Sequence, residues 1–166
     1  MTSISGIGLT IHLDDASFEK ALSKLDSLVS FDGRDLMEAI ATLGESQTRR
    51  RIIEEKTAPD GTPWKPNLEG TSILQRSGLN LLASLAFSST EDEAEWGAAW
   101  EFAHIHQEGA VITPKNAGAL RFKVGNRTAH ANSVTIPARP FIGLSQENHD
   151  ELQNLLTDYF SHMGAT

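Results

Sequence analysis

The chain has 166 residues, 39% hydrophobic and 22% charged, with a formal net charge of −8 and no cysteine. That length suits one domain, 1–166, and two only poorly. Without cysteine there can be no disulfide, thiolate metal site or thiol nucleophile, and the acidic balance argues against gripping nucleic acid by its phosphates.

No apolar run approaches the roughly 20 residues that span a bilayer. Residues Met1–Gly6 lack the basic and apolar regions of a signal peptide. The expectation is a protein made and kept in a cytoplasm, with no membrane partner.

Ile7, Leu9, Ile11 and Leu13 alternate with Gly8, Thr10 and His12, the pattern of a half-buried strand. Asp14 or Asp15 then caps a helix carrying Phe18, Ala21, Leu22, Leu25, Leu28 and Val29 along one stripe. A longer helix runs from about Arg34 to Glu55, with Leu36, Ile40, Leu43 and Gln47 on one side. Its second half is so polar that it is expected to protrude or to lie against a neighbouring subunit. There Arg49-Arg50-Arg51 precedes Glu54 and Glu55, and i,i+4 pairing of Arg50 with Glu54 and Arg51 with Glu55 predicts a solvated, self-paired face.

Residues 57–70 hold three prolines, two glycines and Trp64, so they form an irregular loop with Trp64 as a plug onto a core or an interface. Residues 73–87 read as a short helix leading through a Ser77-Gly78 hinge into a strand. Glu91-Asp92-Glu93 is a hairpin tip, Ala94–Ala98 the returning strand, and Ala98–Gly109 a short helix stopped by Gly109. Leu120–Val124 alternates as a strand. Residues 110–133, punctuated by Gly, Asn and Thr around that strand, read as a long loop or mobile flap, because residues 125–133 hold little apolar surface and their deletion should cost little. Val134–Ala138 is a last edge strand.

The stretch Ile136–Leu144 constrains the chain most. Pro137 and Pro140 remove two backbone donors and push Ile136 and Arg139 toward extended geometry. Its apolar content is too high for a free linker, so it is read as an extended arm held against something. Ser145 then caps a helix with Leu152, Leu155, Leu156, Tyr159 and Phe160 at helical spacing. The fold class is α+β: a small antiparallel sheet against a long helix and a C-terminal helix, with an extended Pro-rich arm and loops.

Chemistry-bearing motifs are sparse. His104 and His106, with Glu101 and Glu108 nearby, would share a face in a strand but diverge in a helix, and the stretch reads as helical. No second cluster supplies further ligands. A metal-dependent hydrolase built on His104 and His106 is therefore the minor alternative. No glycine-rich phosphate loop, Gly-x-Ser-x-Gly or His-Glu-x-x-His occurs. The residues read as a non-enzyme that makes contacts, with no cofactor.

Four elements in order carry a resemblance: Pro59-Asp60-Gly61-x-Pro63-Trp64-x-Pro66; Ile73-Leu74-x-x-Ser77-Gly78 through Ser84-Leu85; Phe102-Ala103-x-Ile105-His106-Gln107-x-Gly109; and Ile136–Ser145. Over residues 10–162 the chain resembles the phage virion morphogenesis family, the tail-completion proteins of Mu-like contractile-tailed phages. Phe102 stands where the family's aromatic is usually tyrosine. The resemblance implies a structural virion protein of the head–tail neck or tail end, assembled in the host cytoplasm. It would complete the tail and join it to the head as a ring, with hexamer the expected size.

The partners implied are further copies of itself, the tail tube, sheath or head–tail connector, and DNA passing without specific binding. A cytoplasmic assembly chaperone absent from the particle is the alternative. The contact residues expected for such a ring are Trp64, Arg49, Arg50, Arg51, His106, Arg139, Pro140 and Phe141. On that reading Phe141→Ser should leave a folded, assembly-defective subunit.

Overall fold

The computed structural model describes residues 6–12, 33–75 and 81–163. The expected helix after Asp14, the Ser77-Gly78 hinge and Leu79 lie outside the described residues.

Strand β1 (Ile7–His12) pairs antiparallel with β3 (Glu93–Ala98), which pairs on its other side with β2 (Leu85–Ser89). The register aligns Leu9, Trp96 and Phe87 across the sheet, and likewise Ile7, Ala98 and Leu85. Because side chains alternate faces, Ala94, Trp96 and Ala98 form one buried face. Helix α1 (Arg34–Arg50) covers it with Leu36, Met37, Ile40 and Ala41. Full burial of each large apolar side chain there is worth about 1.5–3 kcal/mol, which fixes this helix on the sheet. A Cβ added at Gly44 would lie 2.3 Å from the Trp96 indole, so the absence of a side chain permits the close approach.

The last helix, α3 (Gln146–Met163), packs Leu152, Leu155, Leu156, Tyr159 and Phe160 onto the same core, as its periodicity predicts. Ser145 caps it reciprocally: Asn148 N donates to Ser145 Oγ and Ser145 N to Asn148 Oδ1.

Smaller pieces complete the chain. A 3₁₀ turn (Leu82–Ser84) leads into β2, and α2 spans Ala103–Glu108. Strands β4 (Ala110–Ile112) and β7 (Val134–Ile136) pair with each other, as do β5 (Leu120–Val124) and β6 (Arg127–Ala131). The fold is α+β, with antiparallel sheets, a long helix and a C-terminal helix.

Three local expectations are corrected. Residues 110–133 are not one long loop, since they hold β4, β5 and β6: a two-residue turn at Gly125-Asn126 joins β5 to β6, and Gly125 adopts φ 58 there. The alternation that reveals a strand is weak in Arg-Thr-Ala-His-Ala because alanine is its only apolar residue. Ala98 ends β3 and α2 starts at Ala103, so the predicted helix is shorter by one turn, with Gly109 (φ 77) after its last residue. Finally, the polar second half of the long helix is not a solvated face. Gln47, Thr48, Arg51 and Ile52 are all buried.

Candidate functional site

The extended arm is docked, and its dock is the chain's own body. No sheet receives residues 139–143, so their backbone polar groups need other partners. Arg139 N donates to His106 O at 2.7 Å. The Gln107 side chain acts as a substitute strand. Its Oε1 accepts from Phe141 N (3.0 Å) and Ile142 N (3.1 Å), and its Nε2 donates to Ile142 O (3.0 Å). Trp64 Nε1 donates to Pro140 O at 3.1 Å.

Arg51 supplies the remaining bonds. Its Nη1 donates to Gly143 O (2.6 Å) and Phe141 O (3.3 Å), and its Nη2 to Asn148 Oδ1. Every carbonyl from Pro140 to Gly143 is thus met by a side chain from a different part of the fold.

Arg51 reaches the arm because α1 changes pitch. Residues Arg51–Glu55 form a π turn closed by Lys56 N to Arg51 O and ended by Lys56 at φ 57. Five-residue spacing replaces four, so Arg50 pairs with Glu55 (3.1 Å) instead of Glu54, and also with Glu151 on α3 (2.7 Å). Arg51 keeps its i,i+4 partner, Glu55, at 3.6 Å. Gln47 Nε2 adds a bond of 2.6 Å to Glu151. The arginine run is therefore a seam between α1, the arm and α3, with Arg51 entirely buried. Arg49 is more exposed, pairing with Glu45 and donating from Nη1 to Leu82 O at 3.3 Å. Burial pulls the Arg51 guanidinium below its ordinary value, while the hydrogen bonds from Arg50 hold the Glu151 carboxyl below its own.

Apolar packing completes the dock. Phe141 and Ile142 sit in a cluster with Ile52, Ala58, Trp64, Leu81, Leu85, Ala98 and Ala103. Arg139 folds back over the Trp64 loop, donating from Nε to Lys65 O (2.9 Å) and from Nη2 to Pro66 O (3.3 Å). A Cβ on Gly143 would come within 2.6 Å of Pro59. Beside the arm lies a cleft of about 460 Å³, walled by the 65–74 loop, Phe122, Val134, Ile136, Trp100 and His106. The His106 ring stacks on Trp100 at 5.6 Å.

The Pro-Asp-Gly-x-Pro-Trp-x-Pro, Phe-Ala-x-Ile-His-Gln and Ile-Pro-Ala-Arg-Pro-Phe elements, far apart in sequence, thus meet at one place. The pattern of the phage virion morphogenesis family matches residues 13–161, most of the chain. The chain belongs to that family. It is also 24% identical over 162 residues to Mu-like prophage FluMu G protein 1 of Haemophilus influenzae, covering 90% of this chain and 93% of that relative. No solved structure matches significantly.

Among the contact residues expected from sequence, Trp64, Arg51, Arg139 and Phe141 are buried inside this virion morphogenesis protein. Arg49, Arg50, His106 and Pro140 are half-buried. The Phe141→Ser expectation is accordingly reversed, since the ring has no exposure at all and belongs to the chain's own core. His104 is exposed while His106 turns toward Trp100, the divergence a helix imposes.

Sequence reading missed Gln107 and Asn148 as fasteners. A signal existed: a stretch barred from helix and sheet leaves unpaired carbonyls, and side-chain amides are suited to meet them.

His106 Nδ1 is buried without a hydrogen-bond partner. Burial, reinforced by the Arg139 guanidinium, holds His106 below the ordinary histidine value of 6.5. Folding thus favours its neutral form. Stability from this group is full above the unfolded value and declines as pH falls toward the folded one, because there only the unfolded chain takes up the proton. Glu151, also depressed, contributes above its ordinary value of 4.5 and is lost as pH falls through its folded value. The thermal midpoint should therefore begin to drop as pH falls below the ordinary histidine value of 6.5, and His106→Phe should remove the fall that begins there while sparing the one that begins below 4.5. Melting curves read by circular dichroism check this, and parallel profiles for both proteins would count against it.

Proposed function

We propose that this protein is a structural subunit of a phage particle, completing the tail and joining it to the head as a ring around the DNA path. It acts by contact and not by transforming a substrate. The observation that carries this reading is the convergence of the family's sequence elements on a fastened arm. They are arranged to hold a peptide rigid, as an assembly subunit with fixed contact surfaces requires. Trp64, Arg51, Arg139 and Phe141 then shape the contact surface from beneath, while Arg49, Arg50, His106 and Pro140 border it. Ring closure needs two unlike surfaces on each subunit.

The test is a phage lacking this gene. Lysates should contain filled heads and separate tails by electron microscopy, and mass spectrometry of wild-type virions should find the protein in the particle. Its absence from finished particles, with the same defect, would make it an assembly factor instead.

A further inference from the structure

Charge along the chain is segregated. Between Glu108 and Glu147 there is no Asp or Glu, yet Lys115, Arg121, Lys123, Arg127 and Arg139 all fall there. Arg139 is committed internally to the Lys65 and Pro66 carbonyls. The other four are exposed, and among the described residues none forms an ion pair with a carboxylate.

The β5–β6 hairpin places two of these cations, Arg121 and Lys123, on one face. Arg121 is opposite His130 and Lys123 opposite Thr128, so these four residues share one face, and all are exposed. Leu120, Phe122, Val124, Ala129 and Ala131 share the other face and are half-buried, with the exposed Arg127 at its turn end opposite Val124. Phe122 and Val124 line the cleft beside the arm, Lys123 between them reaches its edge, and the Gly125 N–H is held by the Glu69 carboxylate. The hairpin is thus seated by its apolar side, with a basic side turned outward. Arg121 and Lys123 on that side repel one another and gain nothing from the subunit's own fold.

A complementary surface exists elsewhere on the same chain. Asp35 and Glu38 at the start of α1 and Glu91 and Asp92 in the β2–β3 turn are all exposed. An Arg34–Glu91 contact of 4.0 Å sets that turn beside the helix start. Among the described residues no ion pair joins this acidic end to the hairpin within one subunit.

We propose that the basic face of the β5–β6 hairpin docks on the acidic end of a second copy, in a head-to-tail contact. The inference rests on the ring reading above and names its contact. Two unlike surfaces meeting in this way generate a heterologous interface, the kind that closes into rings. Charge complementarity also fixes register and rejects wrong partners, because like charges brought together are strongly unfavourable. Duplex DNA is the competing partner for exposed cations. It is disfavoured by the −8 net charge and by the small number of cations on the face, since phosphate binding gains from many contacts.

Charge reversal tests it. Arg121→Glu/Lys123→Glu and Glu91→Lys/Asp92→Lys alter only exposed positions, so each variant should melt like the parent. Sedimentation and native mass spectrometry should show each variant alone needing at least about 10-fold more protein for half-assembly. An equimolar mixture should recover to within roughly threefold of the parent, because the reversed faces complement each other. If both variants assemble like the parent, or the mixture does no better than either alone, the contact is wrong while ring formation stands. A parent protein that stays monomeric at every concentration overturns the contact, and its absence from virions overturns the ring reading as well. If Arg121→Glu/Lys123→Glu assembles normally but loses retention of a short DNA duplex, the hairpin faces DNA and the proposal fails.

Discussion

Replacing Arg51 by alanine is expected to cost about 3–5 kcal/mol and to release the arm. The guanidinium is completely buried and holds Phe141 O, Gly143 O and Asn148 Oδ1. Its loss strips those acceptors of a charged donor in a place water reaches poorly, and each buried unsatisfied group costs about 1–3 kcal/mol. Some water will enter the vacated space, which is why the total stays below the simple sum. Arg51→Lys separates charge from geometry. A lysine ammonium keeps the charge facing Glu55 but has no planar fork to span the arm and Asn148 together, so the variant should stay well below the parent. Arg51→Met fills much of the volume without any donor and measures the packing contribution alone.

Urea unfolding of the four proteins gives the ranking. An alanine variant within about 0.5 kcal/mol of the parent would mean the bonds to the arm contribute nothing. For a domain whose whole stability is of order 5–15 kcal/mol, the expected loss is enough to populate unfolded chains during assembly.

The same residue shows where the sequence is legible and where it stops being so. Periodicity identifies α1, α3 and β1, because each has an apolar face at the spacing its geometry demands, and the charged Glu91-Asp92-Glu93 tip identifies the β2–β3 hairpin. Leu152, Leu155, Leu156, Tyr159 and Phe160 need no further information to be assigned to a core. The arm is legible too, since two prolines and four large apolar side chains leave few alternatives to an extended, docked segment.

What resists reading is a polar residue buried by tertiary context. Arg49, Arg50 and Arg51 are identical in type, and regular i,i+4 arithmetic gives Arg50 and Arg51 equivalent exposed partners, Glu54 and Glu55. The π turn changes the spacing by one, and the arm and α3 cover Arg51 but leave Arg49 at the surface. Neither event leaves a mark in local composition. Gln107 is hidden for the same reason, being an ordinary helix residue until the arm 34 residues later arrives to be read. Strand β6 fails on a different ground: its apolar face is made of alanines, too small to register as alternation. It is held by pairing with β5 and not by its own hydrophobicity.

Phe141→Ser is expected to destabilise the protein by about 3–5 kcal/mol, before any question of assembly arises. The ring is fully buried among Ile52, Trp64, Leu81 and their neighbours, and removing it leaves both a large cavity and a hydroxyl in apolar surroundings. Truncating a buried phenylalanine costs about 3–5 kcal/mol from lost transfer and cavity formation alone. The hydroxyl adds to that unless it finds a partner. Phe141→Leu keeps most of the volume and should cost less than about 1.5 kcal/mol. The backbone bonds to Gln107 and Arg51 remain possible in both variants, so a difference between them isolates side-chain packing from arm fastening.

Thermal melts and urea curves on the two variants, paired with assembly assays, separate two roles that burial otherwise confounds. If serine weakens folding and leucine restores both folding and assembly, the arm works by making the subunit rigid. If serine instead unfolds at the parent's midpoint and only assembly is lost, Phe141 acts between subunits and the core placement is wrong. The first outcome would also explain why proline suits this stretch. A segment that can never pair as a regular strand stays available to the Gln107, Trp64 and Arg51 side chains, and cannot be captured by the open edge of a neighbour's sheet.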